Sequence, residues 1–181
     1  PKGTKPNQNV SAAQNFGVGL QIVKRSDDRK LDLVGNDFAA AIWNFIESHL
    51  SDDSQVMDIR TIYKNFTGIG GPKDYGLSKR MVQIYLFCLI REGKIKLHLN
   101  AKAQYPYIDY SNIADVEFSA TLLNSLHNIQ RMARPENWEV LRPYAEKLLG
   151  QPIPLTHEDN IIASYRSQLR TLFQIEKDES D

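Results

Sequence analysis

The chain has 181 residues, 41% of them hydrophobic, and its 22 basic residues balance 22 acidic ones. That length supports one good core or two small ones, and zero net charge excludes a wholesale polyanion binder of the histone kind. The one cysteine, Cys88, excludes an intrachain disulfide and a cysteine-rich zinc cluster and fits a reducing, cytoplasmic setting.

Residues 1–15 are rich in Pro, Gly, Asn, Gln and Ser and short of large apolar side chains, the composition of a flexible linker. They lack a signal-peptide core, and no stretch approaches the roughly 18 apolar residues of a membrane span. Short apolar runs on either side of Ser26-Asp27-Asp28-Arg29 predict a small hairpin over 16–36. Asn36 or Asp37 then caps a helix over 38–49, with Phe38, Ile42, Phe45 and Ile46 at helical spacing and Trp43 as a bulky anchor. Asp58 caps a second helix over 59–67. A Gly- and Pro-rich connection at 68–76 separates it from a third, over 79–92, which Ser78 opens and Gly93 stops. Beyond Gly93 the period becomes two, with Ile95, Leu97 and Leu99 on one side and Lys94, Lys96 and His98 on the other, so a strand is expected. Residues 105–110 return antiparallel, with Pro106 tolerated on an edge.

The remainder reads as helical. Leu122, Leu123, Leu126, Ile129 and Met132 recur at helical spacing from Ser119 onward, and Pro135 opens another helix that Pro143 is expected to kink or split. Thr156 and Asp159 approximate a capping box for a last helix with Ile161, Ile162, Tyr165, Leu169, Leu172 and Phe173 on its buried stripe. The chain opens at Pro1 rather than methionine and closes on the acidic tail 176–181, so it reads as a segment excised from a larger protein.

Catalytic signatures fail one by one. Gly93-Lys94-Ile95 is not a phosphate loop, and the glycines at 68–76 follow a helix and miss the third glycine of a dinucleotide turn. His49, His98, His127 and His157 are too widely spaced to share a metal, and Asp27-Asp28 and Asp52-Asp53 are accounted for by turns. Cys88 lies among Phe87, Leu89 and Ile90, without a neighbour that would activate a thiol. No catalytic residue, metal or cofactor is expected.

The functional signal is charge. Residues 60–102 hold nine Lys and Arg against two Asp and Glu, a local excess of +7. At 100° per residue Lys79, Arg80, Gln83, Phe87 and Arg91 share one sector of the third helix. Lys79, Arg80 and Gln83 are therefore candidates to face a DNA groove, with Lys94, Lys96 and Lys102 on phosphates. The same helix opposes that reading, because 84–90 is wholly apolar and sets Phe87 and Ile90 on the would-be recognition face. A protein-docking surface on Phe87 and Ile90 is the alternative.

With Gly-Leu-Ser-Lys-Arg-Met-Val-Gln at 76–83 and Arg-Glu-Gly-Lys-Ile-Lys-Leu at 91–97, the run 37–100 resembles winged-helix domains. Asn-Ile-Ala-Asp-Val-Glu-Phe at 112–118, Pro-Glu-Asn-Trp at 135–138 and Leu-Arg-Pro-Tyr at 141–144 resemble the region beyond the ATPase core of large bacterial phage-resistance ATPases of the BREX type. The resemblance implies an accessory part of an ATP-driven defence protein, with ATP bound elsewhere and no family catalytic residue on this segment. The expected fold is mainly α with a small antiparallel β hairpin: a winged-helix-like three-helix unit over 37–110 and appended helices over 111–175. Its expected role is double-stranded DNA contact or positioning, or docking to a protein partner or another domain of the same protein.

Overall fold

The computed structural model describes residues 16–23, 31, 33–52, 54–68, 75–101, 103, 105–132, 138–153, 162, 164–165, 167–169 and 171–172. The expected linker at 1–15, the acidic stretch 176–181, Lys102 and the expected capping pair Thr156 and Asp159 lie outside them.

Helix α1 spans Asp37–His49. Its cap is Asn36, whose Oδ1 accepts from the Ala39 N–H at 2.9 Å while Nδ2 donates to the Leu20 and Gln21 carbonyls at 2.9 and 3.0 Å. One buried amide thus starts the helix and fastens the preceding segment to it. Of the hairpin expected there, an antiparallel bridge joins Val23 to Leu31, while residues 16–19 are helical. Strand β1, Val56–Asp58, runs directly into helix α2, Ile59–Phe66, and Asp58 caps it by accepting from the Arg60 N–H at 2.8 Å. The Arg60 guanidinium, bonded to the same carboxylate, holds the Asp58 pKa down to about 2.

Helix α3 spans Lys79–Arg91 behind its cap Ser78. Gly93, at φ +72°, ends it: its N–H donates to the Ile90 carbonyl and the Lys94 N–H donates to the Leu89 carbonyl, the paired bonds of a Schellman turn. The turn delivers the chain into strand β2, Ile95–Leu99, whose alternate residues Ile95, Leu97 and Leu99 are buried. Strand β3, Tyr107–Ile108, pairs antiparallel with β2.

The next stretch corrects the sequence-based expectation. Helix α4 covers only Ala120–Ser125, and Leu126–Arg131 is strand β4 rather than a continuing helix. Strand β4 lies between β1 and β2 and is antiparallel to both, giving a four-stranded sheet in the order β1-β4-β2-β3. The architecture is therefore mixed helix and sheet, and the expected hairpin is only half of that sheet. The register slips between His98 and Leu99, so that His127 is an extra residue: Leu99 faces Leu126, while His98 faces Asn128. This β-bulge turns both Leu126 and Ile129 inward although they are three residues apart.

The main core lies between the inner sheet face and helices α1, α2 and α3. Ile95, Leu97, Ile108 and Ile129 from the sheet meet Ile42, Ile46, Ile62, Leu86 and Ile90 from the helices. Each such aliphatic side chain contributes about 1.5–3 kcal/mol on burial. A second, smaller cluster forms around Ala145, Ile153 and Ile162. Helix α5, Trp138–Leu149, supplies Ala145 and carries Pro143 without a break, so the expected split is absent. Within it Arg142 Nη1 donates to Glu146 Oε1 at 3.0 Å and to the Ile153 carbonyl at 2.8 Å, folding the following turn back onto the helix. Among the described residues no helix is long and apolar enough to cross a membrane.

Candidate functional site

The first turn of α3 gathers the residues expected at a groove and divides them. Lys79 and Arg80 are exposed, and no acidic residue sits there to favour the positive end of the helix dipole. Lys79 Nζ lies 5.0 Å from the Tyr63 ring centre. Gln83 is only 1% exposed and faces inward. Its Nε2 donates to Tyr63 Oη at 2.9 Å and to the Leu123 carbonyl at 2.8 Å, while its Oε1 accepts from Arg80 Nη1 at 2.8 Å. Both amide hydrogens are thus committed, the oxygen already accepts one bond, and the buried side chain offers no exposed edge to a base. It instead brackets α2, α3 and α4 together, and burial raises the Tyr63 phenol pKa against the lowering effect of this bond.

Four further cations sit on aromatic faces. Lys94 Nζ lies 5.1 Å and Arg131 Cζ 5.8 Å from the Trp43 ring, Lys96 Nζ 4.7 Å from Tyr107, and Arg91 Cζ 5.6 Å from Tyr110. Such contacts are worth about 0.5–1 kcal/mol at exposed sites. A rise of about 1.5 Å per residue puts Lys79 and Arg91 about 18 Å apart along α3. The basic excess is therefore spread along the helix and onto the sheet, with Lys79, Arg91 and Lys96 on separate rings and Lys94 sharing Trp43 with Arg131. Sequence reading found the cations and missed the rings beneath them, because those rings come from α1, α2 and the chain after β2.

A groove runs along the outer side of α3. Arg80, Ile84, Phe87 and Arg91, at intervals of four, three and four residues, form one wall, and Ile113, Phe118 and Leu123 stand opposite across a space of about 650 Å³. Phe87 and Phe118 meet edge to face with ring centres 4.7 Å apart. The opposite wall is a tight turn over 109–118 organised by the buried Asp109. Its Oδ1 accepts from the Ser111 N–H at 2.9 Å, its own N–H donates to Asn112 Oδ1 at 3.0 Å, and Asn112 Nδ2 donates to the Tyr107 carbonyl at 3.1 Å. Cys88 contributes to the groove floor, where burial pushes its thiol up to about 12 and keeps it protonated.

The two expected docking residues separate here. Phe87 is half-buried and lines the groove, whereas Ile90 is 0% exposed and belongs to the core. The reason is angular: Ile90 lies on the side of α3 that faces the sheet, which the helix period assigns to Leu86 and Leu89 as well. Ile84 and Phe118 were not singled out from the sequence, and Leu123 was placed only on a helical apolar stripe. A signal for Ile84 was its position four residues after Arg80 and seven before Arg91, but nothing local indicates that 113–123 folds back over α3. Among the described residues no three His, Cys, Asp or Glu side chains converge as a metal site would require. No protein-family model, curated protein or solved structure matches the chain.

Proposed function

We propose that this chain is a protein-docking module on a winged-helix-like frame, with the outer face of α3 as its contact surface and no catalytic role. The order helix, strand, helix, helix, strand and closing strand supports the frame, with the 100–125 segment inserted before β4 closes the sheet. In that frame α3 stands where a DNA-reading helix would enter a groove. Base readout needs exposed hydrogen-bonding groups. Here Gln83 has spent its amide, and Ile84 and Phe87 present hydrocarbon. The observation that carries the docking reading is this open apolar groove, since exposed apolar patches mark protein contacts. The resemblance of 112–118, 135–138 and 141–144 to accessory regions of BREX-type ATPases supports a partner drawn from the same assembly.

A photo-crosslinking amino acid replacing Phe118 tests the proposal in cells, with the same residue at Val56 on the far strand as the comparison. The expected result is a protein adduct from position 118 and none from 56. Nucleic-acid adducts from 118, or no adduct, would overturn the reading.

DNA contact is the second reading, favoured by the ring-seated ammonium groups of Lys79, Lys94 and Lys96. It requires duplex binding that weakens steeply with salt and is lost when Lys79, Arg80, Lys94 and Lys96 are neutralised together. Absence of duplex binding at low salt ends it.

A further inference from the structure

We infer that the groove on α3 receives an amphipathic helix whose apolar stripe is bracketed by acidic residues about three turns apart. This rests on the docking reading and adds the chemistry of the partner. Arg80 and Arg91 are 11 residues apart, which at 100° per residue returns to within about 20° of the same direction and at 1.5 Å per residue spans about 16–17 Å. The two guanidinium groups therefore stand at the two ends of one apolar wall. Ile84 and Phe87 lie between them, and among the described residues lining the groove there is no carboxylate.

Among the described residues no carboxylate pairs with either guanidinium. Arg80 bonds the neutral Gln83 amide, Arg91 lies against the Tyr110 ring, and the ion pairs of the described residues involve Arg60, Arg131 and Arg142 instead. Both side chains are exposed, and a planar guanidinium offers a carboxylate two parallel N–H donors. The groove opens to solvent, with Phe118 49% exposed at its rim and its ring reaching across to Phe87. That shape suits a laid-in helix with anchors at i, i+3, i+4 and i+7 better than a small molecule, which an enclosed cavity would cover. The walls are already set, one by the Gln83 bracket and the other by the Asp109 turn, so little ordering cost falls on binding.

The test is selection from a library of displayed 16-residue peptides on the full 181-residue chain, followed by anisotropy titration of the enriched sequences. The expected consensus has apolar residues at helical spacing with Asp or Glu near both ends. R80E/R91E should weaken those peptides about tenfold or more, whereas K64E, an equal charge change per residue on α2, should leave them unaltered. Thermal melts confirm that each variant is folded. Peptides that need Phe87 but are indifferent to Arg80 and Arg91, or that carry basic ends, would overturn this inference and leave the docking reading standing. If no enriched peptide depends on Phe87, both fail. Occupation of the groove by oleate in native mass spectrometry, with no helical peptide enriched, would also overturn the inference and assign the groove to a lipid.

Discussion

The two sides of α3 are made of the same material and end in different situations. Toward the sheet, Val82, Tyr85, Leu86, Leu89 and Ile90 are sealed by α1, α2 and the strands. Away from it, Ile84 and Phe87 are just as apolar but are covered only in part by the 109–118 turn and α4. Burial drives both sides equally per unit area. What separates them is that the chain supplies a complete lid for one face and only a wall for the other. An apolar run with an incomplete lid stores unused contact area, and that area is available to a partner.

Substitutions along α3 should therefore show stability effects that shrink from the inner face to the outer. Leu86→Ala, at a side chain with no exposure, should cost about 2–5 kcal/mol in urea-denaturation free energy; a loss below about 1 kcal/mol would mean that the inner face is looser than described. Gln83→Ala, on the border, strands the Leu123 carbonyl and the Tyr63 hydroxyl and should cost about 1–3 kcal/mol. Tyr63→Phe in that background should then add little, because the shared bond is already gone. Ile84→Ser on the outer wall should cost no more than about 1 kcal/mol and yet abolish binding of a groove-directed peptide. An outer substitution as destabilising as Leu86→Ala would erase the distinction between the two faces.

Much of the first half was readable because its signals are local. Asn36, Asp58 and Ser78 cap the helices they were expected to cap, Gly93 stops α3, and period two identifies β2. The reading failed at β4 for a definable reason. Leu126 and Ile129 stand three apart, as on a helix face, and the bulge at His127 lets a strand satisfy the same spacing. A wheel drawn over 119–132 cannot separate those cases, since it contains neither β1 nor β2. Gln83 and Ile90 failed differently. The helical sector was drawn correctly, but which edge of it is covered depends on Leu123, 40 residues away, and on the sheet behind Ile90. Of the candidates identified by charge, Lys79 and Arg80 are exposed and Lys94 and Lys96 half-buried, whereas Gln83 and Ile90, which depended on a distant cover, are buried.

The position of β4 also sets a schedule. Among the described residues β1 has no strand neighbour except β4, and residues 59–125 must be made before that neighbour exists. At about 5–20 residues per second of synthesis, β1 waits about 3–14 s for it. Throughout that interval the three helices can form and associate, but the backbone edges of β1 and β2 that β4 pairs with stay open. The nascent chain thus passes through a stage that holds most of its apolar core but lacks the strand that joins β1 to the rest of the sheet.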